Sequence, residues 1–511
     1  MKLITREEMQ AMDARAIQKE GIPSLSLMEN AGQNIVQLIC KRFPKHSHSQ
    51  ISIFCGPGNN GGDGFVIARG LHETGYKVQT YLGVSEENYS GEAQSNLHRL
   101  PLTPLPLHNP RFLHFYKEQI LKSDLLVDAL FGTGLSRVLE GYWVPLIRFL
   151  NQTRIPILSV DIPSGLDANS GKKLGACIHA EITATLHLPK KGLILGPDAS
   201  EAGNIEVLRI GIPESYEQKI KRKDFLITPF AFEKYLKPRP RESHKYKFGH
   251  ALSIAGSRNK MGAGLMVARA ALRSGAGLST LALPEEAYKK VDEQFAEIML
   301  KPFSSSLQSA KDFFKKEKFK ALAIGPGLGT DVKTKDFISS LFPLIAIPTV
   351  LDADALNIVS QDLSLLKKIK APLLLTPHSG EMKRLAGADF PLFEKNPFDY
   401  LKKFSQQHQV WVLLKGYRSV LATPKGELWF NSTGNPGIAT AGSGDVLTGI
   451  VLGLLAQGLN LEKAALAGIW LHGKAGDLIA EKKGEKGILA WDIAEKIPEV
   501  LKKLEEQSFT F

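Results

Sequence analysis

One glycine-rich segment in the second half of the chain combines groups that can bind an anion and move a proton. Gly442-Ser-Gly-Asp445 opens the apolar run at 446–455. Glycines at the start of a helix expose backbone N–H groups that attract an anion. Asp445, at the mouth of this cradle, can take a hydroxyl proton as a phosphoryl group arrives. The alternative is that Asp445 only caps the helix. Gly434-Asn-Pro-Gly437 and Thr440-Ala-Gly442 argue against it, because a cap needs no such glycine-rich approach.

Charged and polar groups follow other predicted strands of the same half. These turns are Ile324-Gly-Pro-Gly327-Leu-Gly329, Leu351-Asp352-Ala-Asp354-Ala-Leu-Asn357, Leu375-Thr-Pro-His378-Ser-Gly-Glu381 and Leu414-Lys415-Gly-Tyr-Arg418-Ser419. Taken singly, His378 is more simply a structural residue, and Lys415 or Arg418 a solvated charge. Their repeated position just after strands predicts one shared site, with cations suited to phosphate.

The first half contains a different glycine-rich turn. Gly56, Gly58 and Gly61 match G-x-G-x-x-G between a predicted strand and a predicted helix. A dinucleotide fingerprint also needs an acidic residue at the end of the next strand, but that strand ends at Leu82-Gly83-Val84. The pattern therefore disfavours a standard dehydrogenase. The alternative is a tight turn in which Asn and Asp act as caps.

Four polar residues of the first half follow strands that belong in one parallel sheet. They are Asn60, Asp128, Asp161 and Ser164. Because the carboxyl ends of parallel strands meet along one edge, we expect these side chains to converge. Their oxygens are hard ligands, suited to an alkali or alkaline-earth cation. The alternative is that the two aspartates cap helices.

The elements that must position these groups alternate along the chain. Apolar runs predict strands at 51–55, 77–82, 125–130, 155–160, 251–255, 278–283, 321–324, 349–351, 373–375 and 410–414. Amphipathic or Ala- and Leu-rich runs predict helices at 6–19, 62–74, 142–150, 261–274 and 445–457. Such alternation indicates mostly parallel sheets covered on both faces. We expect an N-terminal domain at 1–217, a basic linker at 218–240 and a C-terminal domain at 241–507.

Composition narrows the class of protein. The 511 residues carry 64 Lys+Arg against 52 Asp+Glu, a net charge of +12, and ordinary apolar content, which excludes a mostly disordered chain. Residues 219–247 hold ten basic and three acidic side chains. A solvated linker explains this better than a nucleic-acid-binding tract, because no aromatic platform accompanies it. Three cysteines, no signal segment and no long apolar run predict a cytoplasmic protein without membrane or nucleic-acid partners.

Taken together, the motifs closely resemble the bifunctional NAD(P)H-hydrate repair enzymes, over nearly the whole chain. In the first half the resemblance rests on Leu27-Met-Glu-Asn-Ala-Gly32, residues 56–64, residues 128–134 and Asp161-Ile-Pro-Ser-Gly165. In the second half it rests on Ser243-His-Lys245, residues 249–256, residues 325–329, Asp352-Ala-Asp-Ala-Leu356, Thr376-Pro-His-Ser-Gly-Glu381 and residues 442–445. It implies a Rossmann-like three-layer NAD(P)HX epimerase domain followed by a ribokinase-like α/β dehydratase domain that uses ADP or ATP.

The resemblance also implies roles for individual residues. The epimerase site for the hydrated nucleotide would comprise Asn59, Asn60, Gly61, Gly62, Asp63, Gly132, Thr133, Gly134, Leu135, Ser136, Arg137, Val138 and Asp161. A potassium ion would be held by Asn60, Asp128 and Ser164. In the dehydratase domain Gly262, Ala263, Gly327, His378 and Asp445 would face the hydrated nucleotide. ADP or ATP would be bound by Lys415, Gly416, Tyr417, Arg418, Ser419 and Gly444. The second site would also use Mg²⁺, and we expect a homo-oligomer.

The implied reactions give each half one catalytic carboxylate. Asp445 would remove the proton of the C6 hydroxyl while ADP or ATP donates its terminal phosphoryl group, because phosphate leaves more readily than hydroxide. Asp161 would transfer the proton in epimerisation. The family usually has Met-Thr-Gly-Ala where this chain has Lys260-Met-Gly-Ala263, so Gly262 and Ala263 are assigned to within about one residue. The alternative is a ribokinase-like small-molecule kinase with a regulatory or RNA-associated N-terminal module.

Overall fold

The computed structural model describes residues 1–290, 296–304 and 318–508. The chain divides into two compact units, Met1–Arg222 and Lys223–Phe511. In the described part of the chain, no helix has both the length and the apolar character needed to cross a bilayer.

The first unit is built on a seven-stranded parallel sheet. Its strands are β1 (Gln50–Cys55), β2 (Lys77–Leu82), β3 (Leu105–Pro106), β4 (Leu125–Ala129), β5 (Ile157–Val160), β6 (Ile182–Leu186) and β7 (Asn204–Leu208). They lie in the order β3-β2-β1-β4-β5-β6-β7. The order reverses between β1 and β4, and in such sheets ligands bind outside the strand ends at this switch point.

Helices cover both faces of this sheet. They are Arg6–Glu20, Ser24–Arg42, Asn59–Glu73, Gly91–His98, Pro110–Ile120, Trp143–Gln152 and Gly192–Leu195, with 3₁₀ helices at Glu86–Asn88, Ala199–Ala202 and Glu214–Lys219. Ile51 and Ile53 of β1 belong to the core on one face, and Phe54 to the core on the other. This alternation along a doubly buried strand gives three layers. The prediction of a Rossmann-like three-layer domain is confirmed.

The second unit contains a ten-stranded sheet. Its strands are β8 (Asp224–Leu226), β9 (His250–Ile254), β10 (Leu278–Pro284), β11 (Met299–Phe303), β12 (Ala321–Ile324), β13 (Thr349–Leu351), β14 (Leu373–Leu375), β15 (Trp411–Leu414), β16 (Val420–Ala422) and β17 (Leu428–Phe430). Their order is β11-β10-β9-β12-β13-β14-β15-β16-β17-β8. Pairing is parallel from β11 to β15, antiparallel from β15 to β17, and parallel between β17 and β8.

The segment expected to be a solvated linker contributes to the second unit. Within 218–240, β8 pairs with β17, and Lys402 Nζ donates to Asp224 Oδ1 at 2.8 Å. Ile227 and Phe232 from the same segment are buried in the core. The basic charge of the segment therefore surrounds apolar anchors that complete one edge of the sheet.

Two helices of the second unit, Met261–Arg273 and Ser443–Ala456, pack closely against each other. The helices of this unit are Met261–Arg273, Glu285–Tyr288, Val332–Leu341, Asp354–Val359, Ser379–Ala386, Phe390–Lys395, Pro397–His408, Ser443–Ala456, Leu461–Lys483 and Ala490–Ser508, with 3₁₀ helices at Pro229–Ala231, Glu233–Tyr235, Lys245–Phe248, Phe342–Leu344, Leu363–Lys368, Gly387–Asp389 and Pro436–Ile438. A Cβ atom on Gly449 would lie 2.4 Å from the carbonyl oxygen of Val267, and one on Gly453 would lie 2.2 Å from Ser274 Oγ. The two glycines thus set how closely Ser443–Ala456 approaches Met261–Arg273.

We predict that Gly449→Ala destabilises the second unit. The added methyl group meets a backbone carbonyl that cannot turn aside, and overpacking of this kind costs about 1–3 kcal/mol. Thermal or denaturant unfolding of the full chain measures the change. Gly262→Ala is the control for stability, because its Cβ meets nothing within 4 Å. Equal unfolding midpoints for Gly449→Ala and the unmodified chain would show that the close approach is not rigid.

Candidate active sites

The end of β13 buries a carboxylate that ties three segments of the second unit together. Asp352 is only 1% exposed. Its Oδ1 accepts from Lys415 Nζ at 2.7 Å and from the backbone N–H of Ala353 at 2.9 Å, and its Oδ2 accepts from Thr448 Oγ1 at 2.7 Å. Burying a carboxylate without partners is costly. These contacts therefore hold the residue after β15 and the helix Ser443–Ala456 against the end of β13.

Lys415 brings a positive charge to the same strand edge. Besides Asp352, its ammonium faces Glu381, whose Oε2 lies 3.9 Å away. Burial by itself would lower the pKa of Lys415, but the charges of Asp352 and Glu381 outweigh it and raise that pKa. The loop after β15 therefore begins with a lysine that stays protonated.

Asp445 is the third residue of the helix Ser443–Ala456 and does not cap it. The capping position belongs to Gly442, whose φ of +86° is one that glycine adopts readily. The Asp445 carboxylate has no hydrogen-bond partner among the described residues. Burial raises the pKa of Asp445 to about 7, and the charge of Asp352 adds to the rise while Lys415 opposes it. An unpaired carboxylate that titrates near neutrality is suited to general-base catalysis.

A cavity of about 490 Å³ lies beside the loop that follows β15. Its lining includes every residue predicted to bind ADP or ATP, namely Lys415, Gly416, Tyr417, Arg418, Ser419 and Gly444. Ile438, Leu447 and Ile469 give it an apolar side. We name it the nucleotide cavity, after the ligand that the sequence predicts for these residues.

A second cavity, of about 470 Å³, also reaches the start of this helix, where Gly442 and Asp445 line it. Its lining includes four of the residues predicted to face the hydrated nucleotide, Gly262, Ala263, Gly327 and Asp445. We name it the substrate cavity. Asp445 and Gly444 are consecutive, and one lines each cavity.

His378 lies apart from the other four. It lines the nucleotide cavity, whereas the prediction assigned it to the hydrated nucleotide. Its Nδ1 accepts from the backbone N–H of Gly380 at 2.9 Å, and the carboxylate of Glu381 bonds back to the backbone N–H of His378 at 2.9 Å. The histidine thus caps the helix Ser379–Ala386, while its half-exposed ring borders the cavity.

The first unit also buries a carboxylate at the end of a central strand. Asp128 of β4 is fully buried. Its Oδ2 accepts from Ser159 Oγ at 2.8 Å and from the backbone N–H of Ser164 at 2.9 Å, and its Oδ1 accepts from Ser164 Oγ at 2.5 Å. Burial raises the pKa of Asp128 despite these donors. All of these donors are uncharged groups.

Asn60 lies near this cluster, in the first turn of the helix Asn59–Glu73. That helix is capped by the backbone of Gly58, so neither Asn nor Asp serves as the side-chain cap considered above. Asn60 is buried, and its Nδ2 has no hydrogen-bond partner in the described structure. A Cβ atom on Gly132 would lie 3.0 Å from Asn60 Oδ1, so the loop after β4 passes directly over this amide.

The remaining predicted residues of the first site differ in exposure. Asn59 is exposed, whereas Gly61, Gly62 and Asp63 are buried. The loop from Gly132 to Val138 is half-buried to exposed, and Leu135 in it accepts a hydrogen bond from Arg6 Nη1 at 3.2 Å. Burial raises the pKa of Asp63 well above its usual range, and the nearby charge of Asp161 adds to the rise.

Asp161 follows β5 with an unusual backbone and a buried cationic partner. Its φ is +65°, which is uncommon for a residue other than glycine. Its Oδ1 accepts from Lys190 Nζ and from the backbone N–H of Leu186. Asp13 is close enough that the charges of Lys190 and Asp161 act on its pKa, which burial raises to about 6. The sequence analysis did not predict a role for Lys190 or Asp13. The one signal in the sequence was the position of Lys190 shortly after the apolar strand β6.

Two α/β units, one with Rossmann-like strand order and one with an unpaired carboxylate lining a cavity, define a two-domain α/β enzyme. The family model described as YjeF-related protein N-terminus matches residues 24–192, and that described as NAD(P)H-hydrate dehydratase matches residues 251–499. A curated relative from Moorella thermoacetica, named bifunctional NAD(P)H-hydrate repair enzyme Nnr, is 40% identical over 99% of this chain and 98% of its own. The chain belongs to the family of bifunctional NAD(P)H-hydrate repair enzymes.

Solved structures resemble the second unit. A ribokinase-like superfamily protein from Enterococcus faecalis matches with a TM-score of 0.50 and 26% identity, over 56% of this chain and 98% of its own. A Bacillus subtilis protein described as ADP/ATP-dependent NAD(P)H-hydrate dehydratase, co-crystallised with ATP and Mg²⁺, is 31% identical over 55% of this chain and 99% of its own, with a TM-score of 0.48. The predicted ribokinase-like fold is confirmed. The alternative of a small-molecule kinase with a regulatory module is not favoured, because full-length relatives are repair enzymes.

We predict that Asp352→Asn lowers the pKa of Asp445, because a neighbouring negative charge is removed. Selective carbon-13 labelling of aspartate and an NMR titration measure the change, with Asp445→Asn identifying the resonance. Asp389→Asn, an exposed acid of the same unit, is the control. An unchanged or higher pKa in Asp352→Asn would mean that Asp352 does not act on Asp445.

Proposed function

We propose that this chain converts hydrated NADH and hydrated NADPH, which both carry an added hydroxyl group at C6 of the nicotinamide ring, back to NADH and NADPH. The second unit dehydrates the S epimer at the expense of ADP or ATP, and the first unit interconverts the R and S epimers. One observation carries the proposal. Gly444 and Asp445, consecutive at a helix start, line two separate cavities that suit a phosphoryl donor and a hydroxylated acceptor.

The nucleotide cavity supplies the binding groups for the donor. Lys415 and Arg418 provide positive charge, and Gly444 provides a backbone N–H at the start of the helix, where anions are favoured. The apolar wall formed by Ile438, Leu447 and Ile469 suits a purine base. Because ADP and ATP share these features, both fit the cavity.

Dehydration then proceeds by activating the hydroxyl group. Asp445 takes the hydroxyl proton as the oxygen attacks the terminal phosphorus of the donor, and the bond between that phosphorus and its bridging oxygen breaks. The electron pair of ring nitrogen N1 next expels phosphate from C6. Loss of a proton from C5 completes the double bond of NAD(P)H. With both ligands held in place, general-base catalysis by Asp445 accelerates the reaction, typically by about 10²–10⁴-fold.

Magnesium fits the second unit as a companion of the donor nucleotide. In the described part of the chain no three His, Cys, Asp or Glu side chains form a ready metal cluster, and Mg²⁺ usually binds through substrate phosphates with one or two carboxylates. Asp352 and Glu381 contact Lys415, which lines the nucleotide cavity, and they would hold the ion on the protein side. When bound, the ion neutralises charge on the transferred phosphoryl group.

The first unit suits epimerisation of the same hydroxylated carbon. Asp161 takes the hydroxyl proton and passes it to N1, so that the C6–O bond becomes a carbonyl as the N1–C6 bond breaks. Rotation about C5–C6 and closure on the other face reverse these steps. Residues 59–63 and 132–138 surround the switch point of the sheet, where a nucleotide of this kind binds.

Potassium fits the cluster around Asp128. The buried carboxylate of Asp128 accepts hydrogen bonds only from uncharged donors, so none of them neutralises its charge. Asn60, Asp128 and Ser164 would hold the ion through oxygen, the ligand type that alkali cations prefer. When bound, it offsets the charge of Asp128.

The near-UV absorbance of the full chain tests the proposal. The protein is mixed with both NADHX epimers at equilibrium, Mg²⁺, K⁺ and either ADP or ATP. We expect full recovery of the reduced-nicotinamide band with at least one donor, and slower conversion of the R epimer when a large organic cation replaces K⁺. Recovery that stops at the S fraction would remove the epimerase assignment. No recovery with either donor would contradict the proposal.

We predict that Asp445→Asn lowers the dehydration rate by roughly 10²–10⁴-fold, because the base is lost. In the unmodified chain the base works only when deprotonated. The dehydration rate should therefore fall as the pH drops through about 7, the raised pKa of Asp445. Chromatographic separation of the epimers in the same samples provides the control, since epimerisation should continue in Asp445→Asn. Dehydration at the normal rate in this variant would exclude Asp445 as the base.

A further inference from the structure

The ammonium group of Lys190 is buried and completely paired. The residue has 0% exposure, and its Nζ donates to Asp161 Oδ1, to the carbonyl oxygen of Leu186 at 2.8 Å and to Thr185 Oγ1 at 3.4 Å. Three N–H bonds thus meet three acceptors. An ammonium held in this way is poorly placed to give a proton to a substrate.

The two carboxylate oxygens of Asp161 differ in their hydrogen bonds. Oδ1 accepts from Lys190 Nζ, from the backbone N–H of Leu186 at 3.0 Å and from Thr185 Oγ1 at 3.4 Å. Oδ2 has no hydrogen-bond partner among the described residues, although the side chain is 11% exposed. One oxygen is therefore fixed by protein donors, and the other is left for a ligand.

The position of Lys190 is itself fixed from a distant part of the chain. Ile4 forms a parallel bridge with Lys190. The N–H of Ile4 donates to Pro189 at 3.1 Å, and the N–H of Lys191 donates to the carbonyl oxygen of Ile4 at 2.7 Å. The backbone on both sides of Lys190 is thus clamped, so its ammonium reaches Asp161 from a defined direction.

We infer that Lys190 is the positioning residue of the epimerase site: it holds the Asp161 carboxylate in place through Oδ1 and leaves Oδ2 to exchange the hydroxyl proton. This inference rests on the proposed function of the first unit. Lys190 also offsets part of the cost of the left-handed backbone at Asp161, since that conformation persists only where the surroundings determine it. The competing explanation is a buried ion pair that serves the fold alone.

Lys190→Met in the full chain tests the inference, with epimer exchange followed by chromatography without ADP or ATP. We expect kcat to fall at least about tenfold with KM changed less than about twofold, because the group acts on the reacting carboxylate. The pH profile provides a second readout. Without its cationic partner, and with Asp13 and Asp63 nearby, a buried carboxylate keeps its proton to higher pH. The low-pH limb should therefore move to higher pH.

Two further variants separate charge, position and folding. Lys190→Arg keeps the positive charge but moves the donor atoms. We therefore expect kcat to fall as in Lys190→Met, while the low-pH limb of the profile stays where it is in the unmodified chain. Lys191→Met removes a neighbouring, partly exposed lysine and should leave rate and profile unchanged. Dehydration of the S epimer reports only the second unit, so thermal unfolding of each sample is used to check that the first unit is folded. If Lys190→Met fails to fold, the arginine variant still decides the question.

Two results would overturn the inference. One is a Lys190→Met protein with the normal low-pH limb and normal kcat per folded molecule, which would leave the ion pair with a role in folding alone. The other is a Lys190→Arg protein with full activity, which would mean that position does not matter. Absence of epimerisation in the unmodified chain contradicts the proposed function instead, so the two failures are distinguishable.

Discussion

The cost of burying a carboxylate at the end of a central strand shapes both units. Asp128 and Asp352 are each almost inaccessible to solvent, and each must gather donors from segments distant in sequence. Asp128 draws Ser159 and Ser164 together, whereas Asp352 draws in Lys415 and the helix that carries Asp445. In each unit these donors bring strand ends and helix starts together at one edge of its own sheet, and the candidate site of that unit lies there.

Much of this arrangement could be predicted from sequence. Mostly apolar runs at 51–55 and 321–324 agree with β1 and β12 to within one residue, because strands buried on both faces need such runs. Glycine-rich turns indicated where ligands approach. Parallel pairing then implied that strand-end residues converge, as the buried groups around Asp128 and the lining of the two cavities illustrate.

The rest depends on contacts that no local pattern contains. Strand β8 is three residues long within a basic stretch, and it is a strand because β17 offers it an edge. The pairing of Lys190 with Asp161 spans 29 residues, and its clamp comes from Ile4. His378 has one clear role as a helix cap, and the cavity it borders depends on where the loop after β15 lies. Such features follow from tertiary packing, which single-residue propensities do not describe.

The peptide bond between Gly444 and Asp445 has a kinetic consequence. It joins the linings of the nucleotide and substrate cavities, and in the proposed step the acceptor hydroxyl attacks the donor phosphorus directly. Under the proposed function, transfer must occur while donor and acceptor are bound together. Initial-rate plots for the two ligands should then intersect, as in a sequential mechanism, and a phosphorylated form of the protein should not accumulate during turnover.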